Sequence, residues 1–306
     1  MQTNFRKTVI MKKLQKDDKI ALIAPSAQIG EIEKIQKGLD FLKSLGFEPV
    51  FAPHLYDVRR YMAGTDEKRA EDVNWAFADK EIKAVFCVRA AAGAARILPY
   101  IDYELIKNNP KPLVGFCDNA ALMLALNKKS DIISWNGFLP TYDFRGDSLD
   151  SLVHDSLLGL ISGQPYKIIS GTTLRSGKTE GTFLCSNLSV LMKLAGTPYF
   201  PDLTNKILLV EDVHERLHKI DLMLQQLKQQ PNFDKLKGII FGHFTDCSGD
   251  EEDGDLDDCF ADFLYKTSFP CIKDFEFGHT VSRYVLPLGA NVKFSADETK
   301  LEICSY

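Results

Sequence analysis

The chain has 306 residues, of which 45% are hydrophobic and 26% are charged, and its formal net charge is -5. This length allows one large or two ordinary domains with a sizeable core. The negative charge disfavours a surface for nucleic acid or for an anionic membrane, and no apolar stretch has the length of a membrane span. We also expect no signal peptide, because the apolar run within residues 1–15 is too short. Seven cysteines without a C-x-x-C pair argue against a disulfide framework or a zinc knot and favour a reducing cytoplasm.

The first elements alternate between strand and helix. Residues 19–25 form a compact apolar run, residues 31–45 carry apolar side chains at helical spacing, and residues 47–51 are the next strand. This β-α-β opening predicts a parallel sheet covered by helices. In residues 65–77, a threonine and the Lys-Arg pair that follows it predict a capped, exposed helix start.

A third strand, residues 82–88, runs into a turn of small residues. The turn begins with Arg89, Ala90 and Ala91, and a short helix follows it. Small residues after a strand allow a ligand or another backbone to approach closely. Tight packing of the helix on the sheet is the alternative, and the turn by itself favours that alternative.

Residues 111–126 contain the strongest candidate for a nucleophile. A short apolar run ends at Gly115, Cys117 follows two residues later, and Asp118 opens a run of good helix formers. A strand, a tight turn and a helix here would expose the Cys117 side chain beside the N–H groups of the helix start, as in a nucleophile elbow. Those N–H groups could stabilise a developing oxyanion. A buried cysteine that packs as a small hydrophobic residue is the alternative, and the local pattern does not decide between them.

The middle of the chain predicts a domain boundary. Residues 143–178 are rich in turns, with a helix over 147–160, and a new strand, turn and helix follow over 180–198. The predicted fold class is therefore α/β, with a parallel-sheet domain of the flavodoxin or glutamine-amidotransferase kind and a second α+β domain. We expect a nucleophile-bearing domain, a linker and a C-terminal domain at residues 14–145, 146–178 and 179–306.

Two residues of the C-terminal domain could assist a nucleophile. A strand at residues 206–210 delivers Glu211 at its end, and His279 lies in Gly-His-Thr between two strand-like segments. A nucleophile needs a base, and the base needs a group that orients it. The alternatives are a salt-bridge partner at a strand end for Glu211 and a hydrogen-bonded loop histidine for His279.

Two other patterns could suggest a metal ion. His214 and His218 are four residues apart and follow Glu211, but the H-E-x-x-H signature is absent. The acidic run at residues 250–258 lacks the ligand pattern of a calcium loop, so we expect a solvated loop. We therefore expect neither a metal nor an organic cofactor.

Six short sequence blocks, taken in their order along the chain, together match the pattern of a known family. They are Ala-Gly-Thr-Asp with the charged residues after it (63–72), Arg-Ala-Ala-Ala-Gly with Arg-Ile-Leu-Pro (89–102), Gly-Phe-Cys-Asp (115–118), Asn-Leu-Ser with Gly-Thr-Pro (187–198), Val-Glu-Asp-Val-His-Glu (210–215) and Gly-His with Leu-Pro-Leu-Gly (278–289). Over about residues 14 to 303, the chain resembles the LD-carboxypeptidase (murein tetrapeptide carboxypeptidase) family of serine peptidases, which includes the microcin C immunity hydrolases. Each block alone is a weak signal, whereas the six together are a strong one.

The resemblance implies a catalytic triad and an oxyanion hole. Position by position, the triad is Cys117, His279 and Glu211, and the oxyanion donors are the N–H of Asp118 and a backbone N–H in the Ala90-Ala91 turn. The chemistry agrees, because His279 would accept the Cys117 proton while Glu211 holds the imidazole and stabilises its charged form.

The resemblance also implies a substrate and a setting. The family acts in the cytoplasm, in peptidoglycan recycling, on a tetrapeptide that it cuts between an L-centre of a diamino acid and the terminal D-alanine. Arg89 or nearby polar groups would receive a carboxylate of this small peptide. No nucleic acid or membrane partner is implied, and the resemblance favours a homodimer.

The chain departs from the family pattern near the implied site. Cys117 stands where the family has serine, and Arg-Ala-Ala-Ala-Gly replaces Arg-Gly-Gly-Tyr-Gly. Asn136 stands where a histidine is usual, and Cys185 with Ser186 replaces a Gly-Gly pair. An alanine forced to positive φ would strain or re-aim the oxyanion turn. Altered specificity, a thiol enzyme or lost activity would each explain these changes.

Two alternative functions follow from these departures. One is a module that has lost turnover and binds peptidoglycan fragments. The other is a hydrolase of aminoacyl-nucleotide antibiotics of the microcin C kind, for which Trp135 could stack on a base, although core packing is its simpler role.

Overall fold

The computed structural model describes residues 13–30, 33–144 and 148–305. Of these, residues 13–164 and 284–289 form one compact unit, called here the first unit, and residues 165–283 and 290–305 form the second unit. Most of the segment considered above for a signal peptide lies outside the described residues. Nowhere in the described ranges does a helix have both the length and the apolar character needed to cross a bilayer.

The α-helices, in chain order, are α1 (Glu33–Ser44), α2 (Asp66–Ala78), α3 (Tyr103–Asn108), α4 (Ala120–Ser130), α5 (Ser151–Ser162), α6 (Leu188–Met192), α7 (Leu217–Lys228) and α8 (Leu256–Leu264). The strands are β1 (Lys19–Ile23), β2 (Glu48–Phe51), β3 (Ile82–Cys87), β4 (Leu113–Gly115), β5 (Ser134–Asn136), β6 (Tyr166–Ile169), β7 (Thr172–Arg175), β8 (Lys178–Asn187), β9 (Lys206–Val213), β10 (Gly238–Thr245), β11 (Cys271–Lys273), β12 (Leu286–Leu288), β13 (Asn291–Ser295) and β14 (Lys300–Ser305). Short 3₁₀ helices occur at Ala94–Tyr100, Cys117–Asn119, Phe233–Lys235 and Glu251–Asp253.

The first unit is built on a six-stranded sheet in the order β12-β5-β4-β3-β1-β2. Strands β1 to β5 pair in parallel, and β12 joins the edge antiparallel to β5. The central strands β1 and β3 are apolar and almost completely buried, as expected for a parallel sheet with both faces covered. Helix α1 corresponds to the helix predicted over residues 31–45, of which residues 31 and 32 lie outside the described part of the chain. The predicted α/β fold class is confirmed.

Helix α4 follows directly after the Cys117 segment and is deeply buried. Its apolar side chains are buried on every side of the helix, including Leu122, Leu124 and Leu126. A helix that is apolar all round packs in a core rather than on a surface. The residues that precede α4, including Cys117, are therefore joined to a helix whose position is fixed by core packing.

The second unit contains an eight-stranded mixed sheet in the order β6-β14-β13-β8-β9-β10-β11-β7. The central strands β8 to β11 are parallel, and the outer strands pair antiparallel. Strand β9 is buried along nearly all of its length and carries Glu211 and Asp212 near its carboxyl end. The side chains of this end are thus held by the core of the second unit.

The two compact units divide the chain differently from the predicted domains. Residues 146–178, which we expected to be a linker, contain α5 of the first unit and β6 and β7 of the second. Helix α5 buries Val153 and Leu157, and β6 and β7 pair with β14 and β11. Strand β12 lies in the first unit, although its residues fall in the predicted C-terminal domain.

The acidic run at residues 250–258 is not the solvated loop that we expected. It contains the 3₁₀ helix Glu251–Asp253 and the first turn of α8. Asp250 with Asp253, and Asp255 with Asp258, form two reciprocal capping boxes. These carboxylates accept backbone N–H groups that the helix starts leave without partners, which explains their spacing.

Candidate active site

The Cys117 segment has the strand, tight turn and helix that its sequence predicts. Strand β4 ends at Gly115, and Cys117 has a φ of 59°, in the left-handed region that non-glycine residues rarely occupy. Its side chain is half-buried, whereas its neighbours Phe116 and Asp118 are buried. A Cβ on Gly115 would lie 3.0 Å from Cε of Met123 and 3.2 Å from the Cys87 sulfur, so a larger residue below the turn would require its neighbours to shift. A strained, partly exposed residue between a strand and a helix is the backbone geometry of a nucleophile elbow.

The turn after β3 does not carry the strain that we expected from its alanines. Gly93 has a φ of 128°, whereas the residues in positive φ do not include Ala90 or Ala91. The one position of this turn that requires glycine has therefore kept it. The Asp118 carboxylate accepts a hydrogen bond from the backbone N–H of Ala94 at 2.8 Å, which joins the turn to the residue after Cys117.

Three of the four residues predicted to bind the substrate or the oxyanion, Arg89, Ala90 and Ala91, line a cavity of about 560 Å³ in the first unit. The fourth, Asp118, is buried, and neither it nor Cys117 is among the described residues that line this cavity. Arg89 lies at its wall and donates from Nη1 to the backbone oxygen of Ile29 at 2.9 Å. The cavity combines two cations and one carboxylate with apolar and hydroxyl groups, and its lining is Glu33, Lys37, Arg89, Ala90, Ala91, Leu139, Thr141, Tyr142 and Phe144. A concave site with a few convergent charged groups suits a small polar ligand.

In the second unit, the structure brings Glu211 and His279 together. Nδ1 of His279 lies 2.9 Å from Oε2 of Glu211, and their side chains are 10% and 0% exposed. The other oxygen of Glu211, Oε1, has no hydrogen-bond partner within the described chain. A fully buried carboxylate within hydrogen-bond distance of one ring nitrogen fixes the orientation of the imidazole.

Two glycines allow the His279 loop to approach Glu211. Gly278 has a φ of 149°, and a Cβ there would lie 2.9 Å from the backbone oxygen of His243. A Cβ on Gly242 would overlap the backbone oxygen of Phe277 and lie 3.2 Å from Cβ of Glu211. The distance between the carboxylate and the imidazole thus depends on the absence of side chains at both positions.

Asp212, the neighbour of Glu211, holds a different part of the second unit. Its carboxylate accepts hydrogen bonds from the backbone N–H and the hydroxyl of Ser189, at 2.7 and 3.0 Å. Burial raises its pKa to about 6. Asp212 therefore ties the start of α6 to β9, which supports the strand that carries Glu211.

The other histidines and acids do not assemble into a metal site in the part of the chain that the structure describes. His214 and His218 are more than half exposed and lie 3.8 Å from Asp246 and Asp253, respectively. No group of three or more His, Cys, Asp or Glu side chains with metal-binding geometry occurs among the described residues. His243 pairs with Glu276 at 3.2 Å, outside the Glu211–His279 pair.

Three other cysteines are protonated thiols at neutral pH. Burial raises the pKa of Cys87 and raises those of Cys247 and Cys271 to about 11 and about 12. A thiol is nucleophilic only as the thiolate, so these three side chains are poor nucleophiles. Of the further departures from the family pattern, Cys185 is buried on β8 and Trp135 is buried on β5, where it packs in the core.

The burial of Arg69 differs from the prediction made from the sequence. Arg69, expected at an exposed helix start, is 1% exposed and donates to the backbone oxygens of Pro25 and Gly93. The predicted N-cap is present, with Thr65 accepting from the N–H of Lys68. The available signal was its spacing, because Arg69 lies four and seven residues before Val73 and Ala76, on the same buried face of α2.

Comparison with known proteins identifies the family of this chain. Family models match in two parts of the chain: the LD-carboxypeptidase N-terminal domain at residues 20–137 and the LD-carboxypeptidase C-terminal domain at residues 180–294. A probable murein peptide carboxypeptidase of Bacillus subtilis is 30% identical over 94% of this chain and 92% of its own length. A murein tetrapeptide carboxypeptidase of Pseudomonas aeruginosa is 30% identical over 89% of this chain and 92% of its own. The crystal structure of an MccF-like protein from Bacillus anthracis superimposes with a TM-score of 0.89 at 26% identity, covering 98% of this chain and 100% of that one. The chain therefore belongs to the LD-carboxypeptidase family of peptidases.

Proposed function

We propose that this chain removes the terminal D-alanine from peptidoglycan tetrapeptides through a Cys117-His279-Glu211 triad. The observation that carries the proposal is the contact between His279 Nδ1 and the buried Glu211 carboxylate at 2.9 Å. An imidazole oriented by a buried carboxylate is the arrangement of a general base that activates a nucleophile. The substrate follows from relatives that are named murein peptide and murein tetrapeptide carboxypeptidases.

In the proposed reaction, His279 accepts the Cys117 proton at Nε2, because its Nδ1 faces Glu211. The sulfur attacks the carbonyl carbon of the peptide bond before D-alanine, and the oxygen becomes an oxyanion. The N–H of Asp118 and a backbone N–H of residues 89–93, called here the oxyanion turn, would stabilise that charge. His279 then returns the proton to the leaving amine, and water hydrolyses the resulting thioester by the same route.

The remaining features of the proposal concern specificity and setting. Arg89 lies in the wall of the cavity that the oxyanion turn lines, so we assign it to a carboxylate of the peptide. The described residues contain no disulfide bond, which suits a reducing cytoplasm. We also propose that the active protein is a homodimer, which would be tested by its mass in solution.

A second candidate is a module that binds peptidoglycan fragments without turnover. The cysteine at the nucleophile position and the alanine-rich oxyanion turn favour it, since both differ from the family pattern. A thiol paired with a histidine remains a competent nucleophile, and the turn keeps glycine at its positive-φ position. For these reasons, we give hydrolysis precedence.

Release of D-alanine from a tetrapeptide tests the proposal. We expect release by the wild type and none above background from Cys117→Ala, because the acyl-enzyme cannot form. Cys247→Ala, which removes another half-buried cysteine, is the matched control and should retain wild-type release. No release by the wild type, with tetrapeptide binding measured by calorimetry, would favour the binding module. Release only by Cys117→Ser would mean that the natural thiol is what prevents turnover.

A further inference from the structure

We propose that Arg69 is a positioning residue that holds the oxyanion turn in place for the proposed reaction. This inference rests on the function proposed above, because it gives the turn a role in catalysis. Arg69 lies on α2, outside the segments that carry the triad. It acts through the backbone of the turn and not on the substrate.

The guanidinium of Arg69 is bound to the last residue of the oxyanion turn. Its Nη1 donates to the backbone oxygen of Gly93 at 2.9 Å and to that of Pro25, after β1, at 2.6 Å. The side chain is only 1% exposed, so these donors cannot exchange freely with water. A Cβ on Gly93 would lie 3.1 Å from Nη1, which shows how closely the turn and the guanidinium approach.

A carboxylate fixes the Arg69 side chain from its other edge. Asp66 accepts a hydrogen bond from Nη2 of Arg69 and also binds Arg96, whose Nε and Nη2 lie 3.0 and 2.6 Å from it. A buried arginine requires such a partner, because an unpaired buried charge is strongly destabilising. Asp66 therefore determines where the guanidinium can present its donors.

Three further contacts hold the oxyanion turn near the Cys117 elbow. Asp118 accepts from the N–H of Ala94 at 2.8 Å, just past the end of the turn. At its start, the backbone oxygen of Arg89 lies 3.3 Å from Nδ2 of Asn119 and 3.4 Å from the hydroxyl of Ser26. Side chains from α2, from the 3₁₀ helix Cys117–Asn119 and from the loop after β1 thus hold both ends of the turn.

We expect loss of the Arg69 contacts to change the catalytic rate, since an oxyanion donor works only within hydrogen-bond distance of the developing charge. A displacement of about 1 Å can reduce a rate by about a hundredfold without preventing substrate binding. Loss of the Arg69 contacts should therefore lower kcat more than it raises KM. Alkylation of Cys117 by iodoacetamide passes through no oxyanion, so its rate reports the state of the nucleophile alone.

The experiment compares Arg69→Met with Arg96→Met in the full-length protein. Methionine keeps much of the length of the side chain but removes every donor, and Arg96→Met breaks the exposed partner of Asp66 without touching the turn. We expect Arg69→Met to lower kcat for D-alanine release by about 10- to 100-fold, with Cys117 alkylation, read by peptide mass spectrometry, within about twofold of the wild type. Arg96→Met should retain wild-type kcat and alkylation, as is usual for an exposed ion pair.

Each other outcome has a defined meaning. Wild-type kcat in folded Arg69→Met overturns the inference, and so does an equal loss of alkylation, which would indicate general collapse of the unit. If Arg69→Met does not fold, Arg69→Lys takes its place, because one ammonium cannot reach Asp66 and both backbone oxygens together. Wild-type kcat in that variant also overturns the inference. No release of D-alanine by the wild type overturns the proposed function first, and this inference with it.

Discussion

At the scale of single residues, the Glu211 carboxylate has an unusual environment for a charged group. It is completely buried, and the partner that the structure gives it is Nδ1 of His279. A positively charged partner offsets more of the cost of burying an ionised carboxylate than a neutral partner does. This arrangement becomes favourable when the imidazole acquires a proton, as it does while the nucleophile attacks. The geometry therefore suits a step in which His279 is transiently charged.

Glu211→Gln tests this role directly. The amide NH₂ of glutamine can face Nδ1 and would leave the proton on Nε2, the atom that must accept the thiol proton. We expect kcat for D-alanine release to fall by about 10³- to 10⁴-fold with little change in KM. The kinetic constants should be measured beside Glu276→Gln, which alters the partner of His243 in the same unit. A loss below about tenfold in Glu211→Gln, or an equal loss in the control, would remove Glu211 from the proposed triad.

The sequence identified some of these residues and missed others for physical reasons. Glu211 and His279 stand in blocks with recognisable neighbours, and their contact agrees with the role that the resemblance implies. Arg69 was expected to be exposed because it is charged, although its spacing from Val73 and Ala76 places it on the buried face of α2. Its backbone partners lie 44 and 24 residues away in the chain. Only the fold brings them together.

At the scale of elements, the sequence analysis missed the helix starts in one segment and did not show to which unit another helix belongs. The Asp-x-x-Asp spacing within residues 250–258 is a capping pattern, yet the density of charge there led us to expect a loop. Helix α5 was anticipated over residues 147–160 and is observed at Ser151–Ser162, while residue 147 lies outside the described chain. Whether a helix belongs to a linker or to a domain depends on which residues its buried face contacts, and short-range signals do not reveal those contacts.

Two glycines of α5 provide a matched test of helix energetics. Gly159 lies inside the helix, where a Cβ would meet no atom of the described residues within 4 Å, and Gly163 ends the helix with a φ of 65°. We expect Gly159→Ala to raise the free energy of unfolding by about 0.5–1 kcal/mol, because alanine loses less backbone freedom on folding. Gly163→Ala should lower it by about 1 kcal/mol, because alanine is strained in the left-handed region. Urea denaturation of both variants measures the difference, and the same sign for both changes would contradict this account.

At the scale of the whole molecule, the chain enters the second unit and then returns to the first. Residues 284–289 leave the second unit, place β12 beside β5, and are followed by two more strands of the second sheet. The sequence could not predict this return, since Leu-Pro-Leu has the apolar character of any short buried strand. Its pairing partner, β5, lies far earlier in the chain, at Ser134–Asn136. Apolar pattern predicts that a segment is buried, but it does not predict in which of two cores.

This connectivity predicts that the first unit is incomplete without the returning segment. Val285, Leu286 and Leu288 are fully buried, and the N–H of Val285 donates to the hydroxyl of Ser156 at 2.8 Å. A fragment of residues 13–164 should therefore be less stable, by on the order of 3–6 kcal/mol, than the same fragment joined to residues 284–289 by a flexible linker.

Urea denaturation followed by circular dichroism compares the two, with a linked segment carrying Leu286→Ser and Leu288→Ser as the length-matched control. The control should behave like the bare fragment, because serine cannot supply the apolar surface that β12 buries. Equal unfolding midpoints for the bare and the joined fragments would show that the first unit folds without the return of the chain.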